Sequence, residues 1–140
     1  GNQAYYGDYD GVFYCVDYVA KKVIWGQNGG GSFVASPAVS GNKAVIGSEN
    51  RTVYCFNKAD GKILWKYTTL GKINGSPVIA GKHVVITSND GRLYVLDLET
   101  GKQYWSYDMG SPSVSTPAIA GNLMVVAAQD GHIFGFSLNE

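Results

Sequence analysis

The sequence predicts an all-β chain of short antiparallel strands, and three observations carry that reading. First, a period of 40 residues runs through the 140-residue chain without a phase shift: Trp25, Trp65 and Trp105; Pro37, Pro77 and Pro117; Gly1, Gly41, Gly81 and Gly121; Tyr14, Tyr54, Tyr94 and Phe134. Second, nineteen glycines and ten tyrosines occur without helix-forming runs. Third, each period divides into four short apolar stretches separated by turn signals. Four strands in about 40 residues is the spacing of a β-propeller blade, whereas a stacked solenoid would need shorter repeats.

The elements follow in order within each period. Strand A is the small apolar piece after Pro: "PAVS", "PVIA" and "PAIA". A Gly-containing turn leads to strand B, "AVIGS", "VVITS" and "MVVAA". Asp10-Gly11, Asp90-Gly91 and Asp130-Gly131 then suit two-residue hairpin turns, with Asn50-Arg51 in that place in the second unit. Strand C alternates ("TVYCF", "RLYVL", "HIFGF"), and strand D is "KILWKY" or "KQYWSY". The layout is BCD, ABCD, ABCD, ABC: about 3.5 blades, at approximately 1–28, 29–68, 69–108 and 109–140, in one partial propeller spanning 1–140. This is expected to be half of an eight-bladed ring. A seven-bladed ring fits less well, because the terminal ABC and BCD overlap rather than complete one blade.

One recurring phrase carries a resemblance. A small residue, x, Asp or Asn, three residues, then Gly-Lys-x-x-Trp appears as Cys55, Asn57, Gly61, Lys62, Trp65 and as Val95, Asp97, Gly101, Lys102, Trp105. The first copy, Cys15, Asp17, Lys22, Trp25, departs from it with Lys21 in the glycine position. The chain resembles the pyrroloquinoline-quinone-like (PQQ-like) repeat family of quinoprotein-alcohol-dehydrogenase-like propellers, including the propeller of outer-membrane assembly lipoproteins. The resemblance implies that Trp25, Trp65 and Trp105 lie between blades and hydrogen-bond the next docking segment. Gly61, Gly101, Asp17, Asn57 and Asp97 would shape those segments. It also implies a ring of seven or eight blades and a periplasmic or extracellular location. Enzymes of this kind hold a quinone with calcium on the axis, beside an Asp base and in many cases a vicinal disulfide.

Composition narrows the partners. Eleven basic and eleven acidic residues cancel, so no electrostatic argument favours nucleic acid or an anionic membrane surface. No apolar stretch approaches the roughly 18 residues of a membrane span. Cys15 and Cys55 occupy one position in adjacent C strands, farther apart than a disulfide allows, and are expected to be structural thiols. His83 and His132 should emerge at opposite ends of the propeller, which argues against a shared metal site. Gly29-Gly30-Gly31 is expected to be a blade connection and Gly7 to Gly11 a hairpin turn.

Strand direction places the B–C hairpins and D–A connections on one face. That face gathers Asp8, Asp10, Glu49, Arg51, Asp90, Arg92 and Asp130 as a candidate ligand or partner surface. No catalytic, cofactor-binding or metal-ligating set is expected. The reading is a non-catalytic scaffold for protein–protein interaction or ligand binding. One alternative is part of a PQQ-dependent alcohol or sugar dehydrogenase, with PQQ and calcium; another is a sensor or carbohydrate-binding ectodomain. A lone copy would leave an apolar blade face and unpaired edges in water, so the expected partner is a second copy or the remainder of a longer chain, and beyond these another protein.

Overall fold

The computed structural model describes residues 1–138 and contains fourteen strands in four antiparallel sheets. The first sheet is β1 (Gln3–Gly7), β2 (Val12–Asp17) and β3 (Lys22–Asn28). The second is β4 (Ala38–Ser40), β5 (Lys43–Gly47), β6 (Thr52–Asn57) and β7 (Ile63–Thr68). The third is β8 (Val78–Ala80), β9 (His83–Thr87), β10 (Arg92–Asp97) and β11 (Gln103–Asp108). The fourth is β12 (Ala118–Ala120), β13 (Leu123–Ala127) and β14 (Ile133–Ser137). Each sheet is a meander whose strands pair with their sequence neighbours, so each is a propeller blade. The second and third sheets approach each other at their short first strands, where β4 touches β8.

The B–C corners differ from the expected two-residue turns. Gly11 N donates to Asp8 O at 3.3 Å and Asp8 N to Val12 O at 3.0 Å, which closes a three-residue loop with its last residue left-handed. The Asp-Gly pair therefore supplies the end of a longer loop, because glycine takes the positive φ there (83° at Gly11, 85° at Gly91, 91° at Gly131). In the second blade Arg51 holds the same conformation at φ 71°, where a Cβ is strained. Asn50 secures that corner by accepting Thr52 N at 3.1 Å on Oδ1 and donating from Nδ2 to Tyr54 Oη at 2.7 Å.

The inner strands of each sheet carry apolar side chains on both faces, and each blade's front packs on the next blade's back. Phe13 and Phe33 meet Ile46, Tyr54 and Phe56 between the first two sheets, with Phe13 and Phe56 stacked at 4.6 Å. Val53, Cys55 and Trp65 meet Val84, Ile86, Tyr94 and Leu96 between the second and third. Val85 and Leu93 meet Met124 and Val126 between the third and fourth. Fully burying such a side chain stabilises by about 1.5–3 kcal/mol. Blade connections add plugs: Phe33 sits where a Cβ on Gly7 or Gly29 would be, and Ile73 does the same to Gly47. Near the inner strands, Ser36 N donates to Ser76 Oγ at 3.0 Å and Ser76 N to Thr116 Oγ1 at 3.2 Å, a blade-to-blade link at 40-residue steps.

Two further features shape the surface. The fourth strand of each complete C–D pair carries a bulge: pairing passes from Trp25 to Val23, Trp65 to Ile63 and Trp105 to Gln103, leaving Ile24, Leu64 and Tyr104 unpaired and exposed. The repeat is also unsatisfied at its ends. Phe13, Val53 and Leu93 are 0% exposed, whereas Ile133 in the same register is 73% exposed. On the back of the first sheet Tyr6 stacks on Tyr14 at 5.1 Å, with Tyr6 exposed.

Substituting Phe33→Ala should lower unfolding free energy by about 3–5 kcal/mol, because it removes a buried ring packed on Phe13, Tyr54 and Phe56. Leu64→Ala, on an exposed bulge, should stay within about 0.5 kcal/mol. Urea denaturation of both variants checks the contrast.

Candidate functional site

The most specific geometry lies in the seams between blades. Trp25 Nε1 donates to Lys58 O at 3.0 Å, and Trp65 Nε1 to Leu98 O at 2.9 Å. Each indole ring then lies under a glycine of the same turn. A Cβ on Gly61 would stand 2.6 Å from Trp25 Cε3, and one on Gly101 would stand 2.4 Å from Trp65 Cδ2. Both glycines are also left-handed, at φ 75° and 70°, so sterics and backbone conformation select the same residue. Lys21 holds the equivalent turn at φ 55°, in the same left-handed region.

The docking turns are held by side-chain caps. Asp17 Oδ1 accepts Val19 N and Ala20 N at 3.0 and 2.7 Å, and Asn57 Oδ1 accepts Ala59 N at 2.9 Å. Asp97 Oδ1 accepts Thr100 N and Oγ1 at 2.7 and 2.9 Å, and Glu99 N at 3.0 Å. The Thr100 amide, then its hydroxyl, hold the Asp97 carboxyl below the usual carboxylate range. An ion pair of 2.8 Å between the nearly buried Lys43 and exposed Glu99 crosses the same seam. Trp105 has the phrase but a different environment: its ring meets Phe136 edge-on at 5.5 Å and remains 39% exposed, against 8% for Trp65.

The acidic and basic corner residues lie on separate B–C corners. Asp8 Oδ1 accepts Val12 N at 2.8 Å, Asp90 Oδ1 accepts Arg92 N at 2.9 Å, and Asp130 Oδ1 accepts His132 N at 3.1 Å. Asp90 Oδ2 also accepts the Tyr94 hydroxyl at 2.6 Å and Leu70 N at 3.0 Å. Arg92 approaches Asp108 at 3.8 Å, while Asp10 and Arg51 are exposed. Glu49 belongs to a different arrangement: Asn74 Nδ2 donates to Glu49 Oε1 at 2.9 Å, and Asn89 Nδ2 donates to Asn74 Oδ1 at 3.1 Å. Lys72 stands 3.9 Å from Glu49 Oε2. This polar chain spans the second and third blades, and sequence reasoning missed Lys72, Asn74 and Asn89. The available signal was a break in the repeat, since Asn74 stands where other copies have Val34 and Val114.

Cys15 and Cys55 are buried and free. Burial pushes the Cys55 thiol up to about 12 and raises Cys15 too, which makes both poor nucleophiles. His83 packs against Tyr104 at 4.7 Å, and His132 Nδ1 lies 2.9 Å from Asp130 Oδ2. Among the described residues no three His, Cys, Asp or Glu side chains lie together as metal ligands would. Asp8, Asp90 and Asp130 each turn one carboxylate oxygen onto an amide of their own corner.

Blades stacked front to back and fastened by a tryptophan under the next blade's glycine define a partial β-propeller of the PQQ-like repeat class. The chain belongs to the family described as the outer membrane protein assembly factor BamB, which matches residues 71–140. In fold it is similar to BamB from Moraxella catarrhalis, with a TM-score of 0.89 and 24% identity over 99% of this chain and 44% of that one. The computationally designed protein Ika8 superposes with a TM-score of 0.86 and 22% identity over 99% of this chain and 43% of its own. The designed protein Ika4 gives 0.88 and 22%, over 99% of this chain and 87% of that one. The chain therefore spans less than half the length of the BamB and Ika8 chains it matches. No curated protein matches it.

Gly101→Val should destabilise by more than about 3 kcal/mol, since it adds a ring clash to backbone strain, whereas Lys21→Gly should be neutral or slightly stabilising. Thermal unfolding of the two variants measures the difference. A carboxyl held low in the folded chain contributes fully above the ordinary Asp pKa of about 3.9 and loses its contribution as pH falls through the lower folded value. Asp97→Asn, which copies Asn57, should therefore flatten the loss of stability below about pH 4. Urea midpoints at pH 7 and in acid check it.

Proposed function

We propose that this chain is a non-catalytic propeller scaffold whose activity is protein–protein association. The carrying observation is the open front of the last blade, where Ile133 is 73% exposed although its register mates are fully buried. The match to an assembly-factor family supports the same reading. The finer partner in this reading is further propeller surface, either a second copy or the remainder of a ring. The front of the fourth sheet would take the back of a first sheet, the pairing already made between the blades inside the chain. Asp8, Asp10, Glu49, Arg51, Asp90, Arg92 and Asp130, with the Glu49–Asn74–Asn89 chain, form the proposed face for other protein partners. The role named in the family description supports a periplasmic location.

Light scattering after gel filtration should show concentration-dependent association at micromolar protein. Ile133→Asp and Tyr6→Asp should each weaken it without altering circular dichroism. A compact, non-aggregating monomer would overturn the proposal. Titration with PQQ and calcium separates it from the dehydrogenase alternative: specific binding with dye-linked alcohol oxidation would favour the enzyme.

A further inference from the structure

Overall neutrality conceals a division between the two ends of the blades. A–B and C–D turns lie at one end of every sheet, B–C corners and D–A connections at the other. Among the described residues the first end carries Lys21, Lys22, Lys58, Lys62, Lys82 and Lys102, with Lys43 nearly buried, against Asp17, Asp60, Asp97 and Glu99. The other end carries Asp8, Asp10, Glu49, Asp90, Asp108 and Asp130 against Arg51, Lys72 and Arg92. Strands of five or six residues hold the two ends roughly 16–20 Å apart. That is about twice the screening length of about 8 Å at physiological salt. An approaching surface therefore meets one end without the cancelling charge of the other.

The composition of the basic end selects its partner. Lys21, Lys22, Lys62, Lys82 and Lys102 are exposed and spread over the turns of three successive blades. Of these only Lys62 makes an ion pair among the described residues, with Asp60 at 3.8 Å. The carboxylates at this end are engaged within the fold. Asp17 Oδ1 accepts Ala20 N at 2.7 Å, Asp60 Oδ1 accepts Lys62 N at 3.0 Å, and Asp97 Oδ1 accepts Thr100 N at 2.7 Å. Glu99 holds Lys43 at 2.8 Å. Both arginines, Arg51 and Arg92, lie at the opposite end. The planar fork of arginine suits directed pairing with a protein carboxylate, whereas lysine is a hydrated point charge that suits a diffuse anionic field.

We propose that the lysine-bearing end docks on an anionic lipid surface, with the acidic corner end facing away. Anionic headgroups attract clusters of about four to eight lysines on one protein surface. The contact is peripheral and electrostatic, and salt screens it. This orientation leaves the corner face free for the protein partners proposed above.

The test is flotation of the unaltered chain with vesicles of phosphatidylcholine carrying about one third phosphatidylglycerol, beside vesicles of phosphatidylcholine alone. Binding is expected with the anionic vesicles only, and should fall at least about tenfold between roughly 50 and 500 mM NaCl. The double variant Lys82→Gln/Lys102→Gln should bind at least about tenfold more weakly. Lys66→Glu changes net charge equally but from the middle of β7, and should stay within about threefold of the unaltered chain. Flotation with neither vesicle, or equally with both, overturns the proposal, as does binding indifferent to salt. A loss with Lys66→Glu as large as with the double variant also overturns it, because net charge rather than this end then decides. Tighter binding to polyglutamate than to vesicles of equal anionic charge overturns it in favour of an acidic protein segment. Lipid-free association that grows at low salt and vanishes in the double variant does so too, because the acidic end of a second copy then covers the lysines. The lipid and salt readouts use the unaltered chain, so the proposal stays falsifiable whether or not the variants fold.

Discussion

The structure depends on one contact repeated between neighbours: an indole seated under a glycine, with its N–H on a backbone carbonyl of the same turn. A tryptophan buries roughly 150–250 Å² but brings one donor that must be satisfied. The turn from Asn57 to Gly61, like that from Asp97 to Gly101, answers both needs at once. A sheet with two apolar faces cannot be stable alone in water, so each blade exists by virtue of the next. The seam between blades, rather than the single sheet, is the unit of stability.

The repeat departs from its own pattern at three places. Lys21 stands in a glycine position and keeps the left-handed backbone, at φ 55°. Arg51 keeps a left-handed backbone that glycine holds in the other three corners, and Asn50 supports it through Thr52, Tyr54 and Gly29. The polar chain from Glu49 through Asn74 to Asn89 is a third departure, crossing a seam where the other copies place valine. Asn89 Oδ1 is buried there with no protein partner, so this seam has polar capacity that the apolar seams lack. Individuality in this molecule sits in the places where the period breaks.

The architecture was legible in the sequence because a strict 40-residue period fixes register, and a period-2 face admits one partner. Strands A to D and their order follow from that alone, whereas the seam position of Trp25 and Trp65 was implied by the family resemblance of the phrase around them. Three things were not legible. The corner loops read as two-residue turns because Asp-Gly marks both a short hairpin and the end of a three-residue loop. The bulges at Ile24, Leu64 and Tyr104 hid in an apolar run, "KILW", that breaks strict alternation. The candidate face looked like one charged surface, yet Asp8, Asp90 and Asp130 mostly serve their own corners. Charge can be counted from a sequence, but the direction in which a carboxylate points depends on a loop it helps to close.

The blade's two faces are chemically different, and that difference gives the stack a direction. The front presents Phe13, Val53, Leu93 or Ile133, and the back presents Tyr14, Tyr54, Tyr94 or Phe134. Inside the chain every front meets a back, so contact that repeats this pairing is heterologous rather than isologous. Heterologous contacts close into a ring when the rotation per blade divides a full turn, and otherwise wind into an open helical filament. The rotation set at each tryptophan seam thus governs more than local packing: it separates a finite assembly from an unbounded one.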